Sequence, residues 1–153
     1  MKIVSNSSPL IFFSAIGMLD ILADFGDISI PKAVYEEVTK NDLKGSNEVK
    51  NADWINVVEI EEHESVAFSS ALDAGEAQAI ALAIKQNADL ILLDDLAGRR
   101  AAAAYGIEVI GTLGLLKVMY QKGLIENMKN VLDELQKHGF WMSTDLYSKM
   151  LKD

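Results

Sequence analysis

Leu90-Ile91-Leu92-Leu93 is an unbroken apolar run with polar residues on both sides. Four large aliphatic residues in a row leave no polar face, so the run suits a central parallel strand buried on both faces. Asp94-Asp95 closes it. Ile3-Val4, Ile28-Ser29-Ile30, Trp54 to Val58 and Val109-Ile110 are further short strand-like segments, the third expected near a sheet edge. Stretches of helical spacing separate them, and that alternation predicts an α/β fold with helices covering both faces of a parallel sheet. Right-handed crossovers then bring the carboxyl ends of the strands to one side, where ligands normally bind in this architecture. The chain has 153 residues, half of them apolar, enough to bury a core, and no break in composition divides it. It reads as one domain over residues 1–153.

The helix signals are local. Ser8 as N-cap with Pro9 at the first helical position starts a helix carrying Phe13, Ile16 and Leu19, which frays near Asp24 to Asp27. Pro31 opens a second, with Val34 and Val38 on its apolar side and Glu37 beside them. Asn41 to Lys50 reads as a surface turn plus a short helix, and Glu59 to Glu64 as a solvated acidic stretch. A helix from Asp73 to Asn87 carries Ala77, Ile80, Ala81 and Ile84 on one side. An alanine-rich helix follows Asp95 to Tyr105 and ends at Gly106. Thr112 caps the next, which ends at Gly123; two more follow, one closed by Gly139 and one over Ser143 to Leu151.

Composition removes several chemistries. There is no cysteine, hence no disulfide, thiol nucleophile or thiolate cluster, and His63 and His138 alone make a zinc site or a Ser-His-Asp triad a poor expectation. His138 reads as a helix C-terminal residue, His63 as exposed. No signal peptide is read at Met1 to Ser5, and no apolar stretch is long enough to span a bilayer, so a cytoplasmic protein with no membrane partner is expected. The net charge of −9 is unlike that of a standing nucleic-acid binder, yet compatible with a metal-dependent nuclease or a basic partner. Neither a dinucleotide fingerprint nor a phosphate-binding P-loop occurs.

The residues with chemical promise are oxygen donors. Asn6, Asp94, Asp95 and Thr112 follow predicted strands, while Glu37 and Glu76 lie on flanking helices next to packing positions. Carboxylates without His or Cys suit hard cations such as Mg²⁺ or Mn²⁺, which polarise a phosphoryl oxygen and acidify a bound water. Each also has a plain structural use. Glu76 stands three residues after Asp73, a capping-box spacing. Asp94 or Asp95 would cap the following helix, Thr112 the next, and Glu37 would serve solubility. Arg99-Arg100 either faces phosphate or balances the acidic surface.

Taken in order, these landmarks resemble the PIN-domain superfamily, in its branch of small prokaryotic proteins related to toxin–antitoxin ribonucleases. The resemblance rests on Ser5-Asn6-Ser7-Ser8-Pro9-Leu10-Ile11, then Ile30-Pro31-x-x-Val34-x-x-Glu37-Val38, then Gly75-Glu76-Ala77-x-Ala79-Ile80. It continues through Leu92-Leu93-Asp94-Asp95, Arg99, Gly111-Thr112-Leu113-Gly114 and Gly123-Leu124-Ile125 to Gly139-Phe140-x-x-Ser143. It implies a three-layer α/β/α sandwich, PIN-like, with a mostly parallel five-stranded sheet. It also implies a ribonuclease dependent on Mg²⁺ or Mn²⁺. Its acids map to Glu37, Glu76 and the Asp94-Asp95 pair, with Asn6 at the first metal position and Thr112 and Arg99 supporting. RNA as a transient substrate, a small antitoxin-like protein and a homodimer are the implied partners.

One departure matters. Relatives place an aspartate where this chain has Asn6, which offers a carbonyl oxygen but no charge. The expected function is therefore a divalent-metal-dependent endoribonuclease, the toxin of a toxin–antitoxin pair. The alternatives are a catalytically weak or inactive partner-binding protein, or a small-molecule phosphohydrolase at the same acidic edge.

Overall fold

The computed structural model describes residues 1–40, 45–68 and 70–152. Five parallel strands, β1 (Lys2–Ser5), β2 (Asp27–Pro31), β3 (Ile55–Val58), β4 (Leu90–Leu92) and β5 (Val109–Ile110), form one sheet in the order β3-β2-β1-β4-β5. All five predicted strands are present, and β3 lies at an edge, as expected. β4 pairs with β1 and β5, with Val4 opposite Ile91 and Leu92 opposite Ile110.

Side-chain alternation along the strands explains the three layers. Ile91 and Leu93 join one core, with Val4, Ile80, Leu82 and Ala102; Leu92 joins the other, with Ile3, Phe13, Leu116 and Leu132. A strand whose successive residues feed opposite cores has no solvent face, which is why its sequence is apolar throughout. Each such buried aliphatic side chain contributes about 1.5–3 kcal/mol. The core around Ile91 is covered by α5 (Ala74–Lys85) and α6 (Leu96–Ala104). The opposite core takes in α1 (Ser7–Ala15), α2 (Lys32–Thr39), α3 (Ser46–Lys50), α7 (Thr112–Gln121), α8 (Met128–Lys137) and α9 (Thr144–Leu151).

The structure revises several local readings. The first helix begins at Ser7 with Asn6 as its N-cap residue, so Ser8 is not the cap. It stops at Ala15; Gly17, at φ +73°, turns the chain, and Leu19–Asp24 forms a separate 3₁₀ turn. Phe13, Ile16 and Leu19 therefore share a core without sharing a helix. The acidic stretch contains a short helix, α4 (Glu62–Ser65), opened by a capping box between Glu61 and Glu64. The predicted short helix is α3; the preceding turn, at 41–44, lies outside the described residues.

No helix among the described residues is long and apolar enough to cross a membrane.

Candidate functional site at the carboxyl edge of the sheet

Parallel strands deliver Asn6, Asp94 and Thr112 to one edge: they stand at the ends of β1, β4 and β5. The Asn6 backbone N–H donates to the Leu92 carbonyl, 3.0 Å, tying the first two ends together. From there the polar side chains divide into two groups.

The first group surrounds Gly75, in the opening turn of α5. A methyl group at Gly75 would sit 3.5 Å from Glu37 Oε2 and 3.6 Å from both Asn6 Oδ1 and Asp73 Oδ1. Three oxygens from three elements thus converge over one glycine. Asn6 is the buried member, 8% exposed, and makes no side-chain cap to its own helix. Glu76 adjoins this group. Partial burial, the Asp73 charge, the Asp95 charge and a hydrogen bond with Asp73 together raise its carboxyl pKa from 4.5 to about 7. Burial and like charge both penalise the ionised form, so Glu76 holds its proton to near neutrality.

The second group centres on Asp94. Its Oδ1 accepts from the Thr112 backbone N–H at 2.7 Å, and its Oδ2 from Thr112 Oγ1 at 2.7 Å and Ser8 Oγ at 3.1 Å. The Thr112 N–H belongs to the open N-terminal turn of α7, where a carboxylate also meets the positive end of the helix dipole. Thr112 is fully buried and is the first residue of α7, with Gly111 as the N-cap residue, so it does not cap the helix itself. Its hydroxyl orients Asp94. Gly111 is required here, because a Cβ would stand 2.9 Å from Asp94 Oδ1 and 3.0 Å from Arg99 Nη1.

Asp94 and Asp95 therefore part company. Asp94 pins α7 and α1 to the end of β4, whereas exposed Asp95 caps α6 by accepting from the Gly98 N–H, 3.1 Å. Asp95 is also the one whose charge reaches Glu76. Asp73, met in the sequence only as a capping residue, belongs to the site as well. It accepts from the Glu76 N–H at 2.8 Å and faces Gly75 with Glu37 and Asn6. Its membership was concealed because capping accounts for a helix-start aspartate completely. Arg99 is exposed and lies beside Asp94.

The donor types suit Mg²⁺ or Mn²⁺, being oxygens throughout. The arrangement suits such an ion less well: among the described residues, no three His, Cys, Asp or Glu side chains are grouped to hold one metal. The local reason is visible. Asp73, Asp94 and Asp95 are occupied as caps or anchors, Asn6 is neutral and Glu76 is readily protonated. Glu37 and Glu76 both border the Asp73 end of the site, while Asp94 is committed to Thr112 and Ser8.

No curated protein matches the chain. Among solved structures it is similar to a domain of a functionally unknown protein from Methanocaldococcus jannaschii DSM 2661. The two share 22% identity over 72% of this chain and 89% of that one, with a TM-score of 0.48. The family model DUF3368, described as a PIN domain, matches residues 2–153. With nearly its whole length matched, and with the parallel five-stranded sheet in place, the chain belongs to the PIN-domain family.

Proposed function

We propose that this chain is a PIN-domain protein of weak or no hydrolytic activity, which works by binding single-stranded RNA. The observation that carries the first half is Asn6. A buried, uncharged amide stands where Glu37 and Asp73 converge, so a divalent ion would meet one negative charge fewer than an aspartate there would supply. The resemblance to PIN-domain ribonucleases supports RNA as the partner class. Exposed Arg99 beside Asp94 gives it a local cationic contact in a chain of net charge −9. Modest, salt-sensitive affinity follows from that balance.

The second reading is the metal-dependent endoribonuclease, with Glu37, Glu76 and Asp95 or Asp94 holding Mg²⁺ or Mn²⁺. What favours it is Glu76. Its raised pKa records partial burial and, after that, the negative charges of Asp73 and Asp95, which a bound cation would offset. A toxin role, a small antitoxin-like partner and a homodimer belong to this reading, and the net charge of −9 suits a basic partner.

Asn6→Asp separates the two. The change adds a charge without bulk at a site 8% exposed, and one extra carboxylate contact is expected to tighten Mn²⁺ binding by about tenfold, roughly 1.4 kcal/mol. Calorimetric Mn²⁺ titration of both proteins measures this directly. Cleavage of single-stranded RNA is then followed with Mg²⁺, Mn²⁺ or EDTA, with Glu76→Gln as the control for contaminating ribonuclease. Near-background cleavage by the native chain, rising in Asn6→Asp, is expected. Vigorous metal-dependent cleavage by the native chain, lost in Glu76→Gln, would overturn the weak-site reading in favour of the second.

A further inference from the structure

Trp141 is 82% exposed, the most exposed of the large hydrophobic side chains among the described residues. Its position is fixed by its neighbours. Gly139, at φ +94°, turns the chain out of α8. Phe140 packs edge-on against Phe12, with ring centroids 4.9 Å apart and planes at 79°. Met142 on the other side is buried, and Ser143 starts α9 by accepting from the Leu146 N–H at 3.1 Å. With both flanking residues anchored in the core, the indole is held outward on a constrained segment. Displaying a large aromatic ring to water forgoes the burial that usually repays it.

The ring borders a small groove of about 200 Å³ that is also lined by Arg99, Leu113, Phe140, Leu146 and the glycines Gly111 and Gly114. That is below the ~300–1,000 Å³ of sites for drug-sized ligands, and suits one planar ring system. Asp94 also lines the groove, but its carboxylate is already shared among the Thr112 N–H, Thr112 Oγ1 and Ser8 Oγ. Arg99, which lines it, is exposed. A guanidinium offers planar, directional N–H donors for phosphate oxygens. An exposed indole, an apolar wall and a cation together match the parts of a nucleotide, and the groove lies beside the same strand ends as the acidic site.

We propose that Trp141 and Arg99 form a single-nucleotide subsite for single-stranded RNA, the indole stacking on a base and the guanidinium contacting an adjacent phosphate. This rests on the RNA-binding reading above and assigns its contact surface. It requires no cleavage, because neither residue belongs to the acidic group around Gly75.

The chain has two tryptophans, so Trp54→Phe leaves Trp141 as the sole indole reporter. Ten-nucleotide oligouridylate and oligoadenylate are titrated in EDTA at low salt. Indole fluorescence and the anisotropy of end-labelled RNA are read side by side. Saturable quenching is expected, and Trp141→Ala should weaken binding about tenfold, within the ~1–3 kcal/mol range for one stacked base. Trp141→Phe should recover part of the loss. Arg99→Ala should lower affinity and reduce the slope of log affinity against log salt by about one. Circular dichroism and melting of Trp141→Ala should match the native chain, since the side chain is exposed. RNA binding with undiminished affinity to Trp141→Ala overturns the subsite while leaving the RNA reading intact. Failure of native protein to bind any oligonucleotide at low salt overturns both. A Trp141→Ala variant that changes oligomeric state by light scattering, with RNA affinity unchanged, assigns the surface to a protein contact and overturns the subsite.

Discussion

Asp94→Ala is expected to destabilise the protein by about 3–5 kcal/mol, because one carboxylate satisfies three donors on two other elements. The Thr112 N–H would be left at the start of α7 without its acceptor, and the Thr112 hydroxyl is fully buried. Hydrogen bonds to a charged group are worth roughly 1.5–3 kcal/mol each, but three that share one acceptor do not add. In a domain of this size the loss corresponds to a melting temperature lower by roughly 10 °C. The neighbouring substitution makes the comparison sharp. Asp95→Ala removes one helix cap on an exposed residue and should cost about 1 kcal/mol. Asp94→Asn keeps the shape and one acceptor oxygen, and should fall between them. Thermal and urea unfolding of the three variants measures the order directly. Equal losses from Asp94→Ala and Asp95→Ala would mean that the Ser8 and Thr112 contacts contribute little.

Glu76→Gln is expected to have an effect whose size depends on pH. The folded-state pKa of about 7 lies above the ordinary carboxyl value of 4.5. Below the lower value the group is protonated in both the folded and unfolded chain, and its ionisation costs the fold nothing. Between about 4.5 and 7 the unfolded chain ionises first, so stability falls as pH rises. Above 7 the full penalty is present. Glu76→Gln removes it, so the variant should match the native protein at pH 4 and exceed it at pH 8. Discounting for partial solvent exposure, the gain at pH 8 is on the order of 1–2 kcal/mol, or roughly 3–6 °C in melting temperature. The helix cap survives, since the Asp73 bond is to the Glu76 backbone N–H. Mn²⁺ adds a second readout: under the metal-dependent reading it stabilises the native chain at pH 8 more than Glu76→Gln. A melting difference that does not change between pH 4 and pH 8 would show that neither burial nor the Asp73 and Asp95 charges raise the Glu76 pKa in the folded chain.

The strands and most of the helices were legible because their causes are local. Leu90 to Leu93 must be buried on two sides whatever surrounds it, and a left-handed glycine such as Gly106, Gly123 or Gly139 ends a helix from its own conformation. Local signals misled where a distant group competed for the same side chain. Ser8 before Pro9 reads as a cap, yet its hydroxyl is directed to Asp94, 86 residues further along the chain. Thr112 reads as a cap for the same reason, and its hydroxyl is likewise drawn to Asp94. Phe13, Ile16 and Leu19 keep helical spacing across Gly17 although the helix has already ended, because spacing records a shared core and not a continuous backbone.

The candidate site divides along the same line. Sequence alone determined that the chain would present acids at the carboxyl ends of parallel strands, because strand order, crossover handedness and residue type suffice for that. It also showed that Asn6 carries no charge, which no fold can alter. Only the tertiary structure decided what each oxygen does there. It separated Asp94 from Asp95, brought Asp73 to Gly75 beside Glu37 and Asn6, and held Trp141 outward between half-buried Phe140 and buried Met142. The physical reason is that a carboxylate's role follows from which donors and charges lie within a few ångströms. Those neighbours come from β1, α2, α5 and α7, which meet only when the sheet closes.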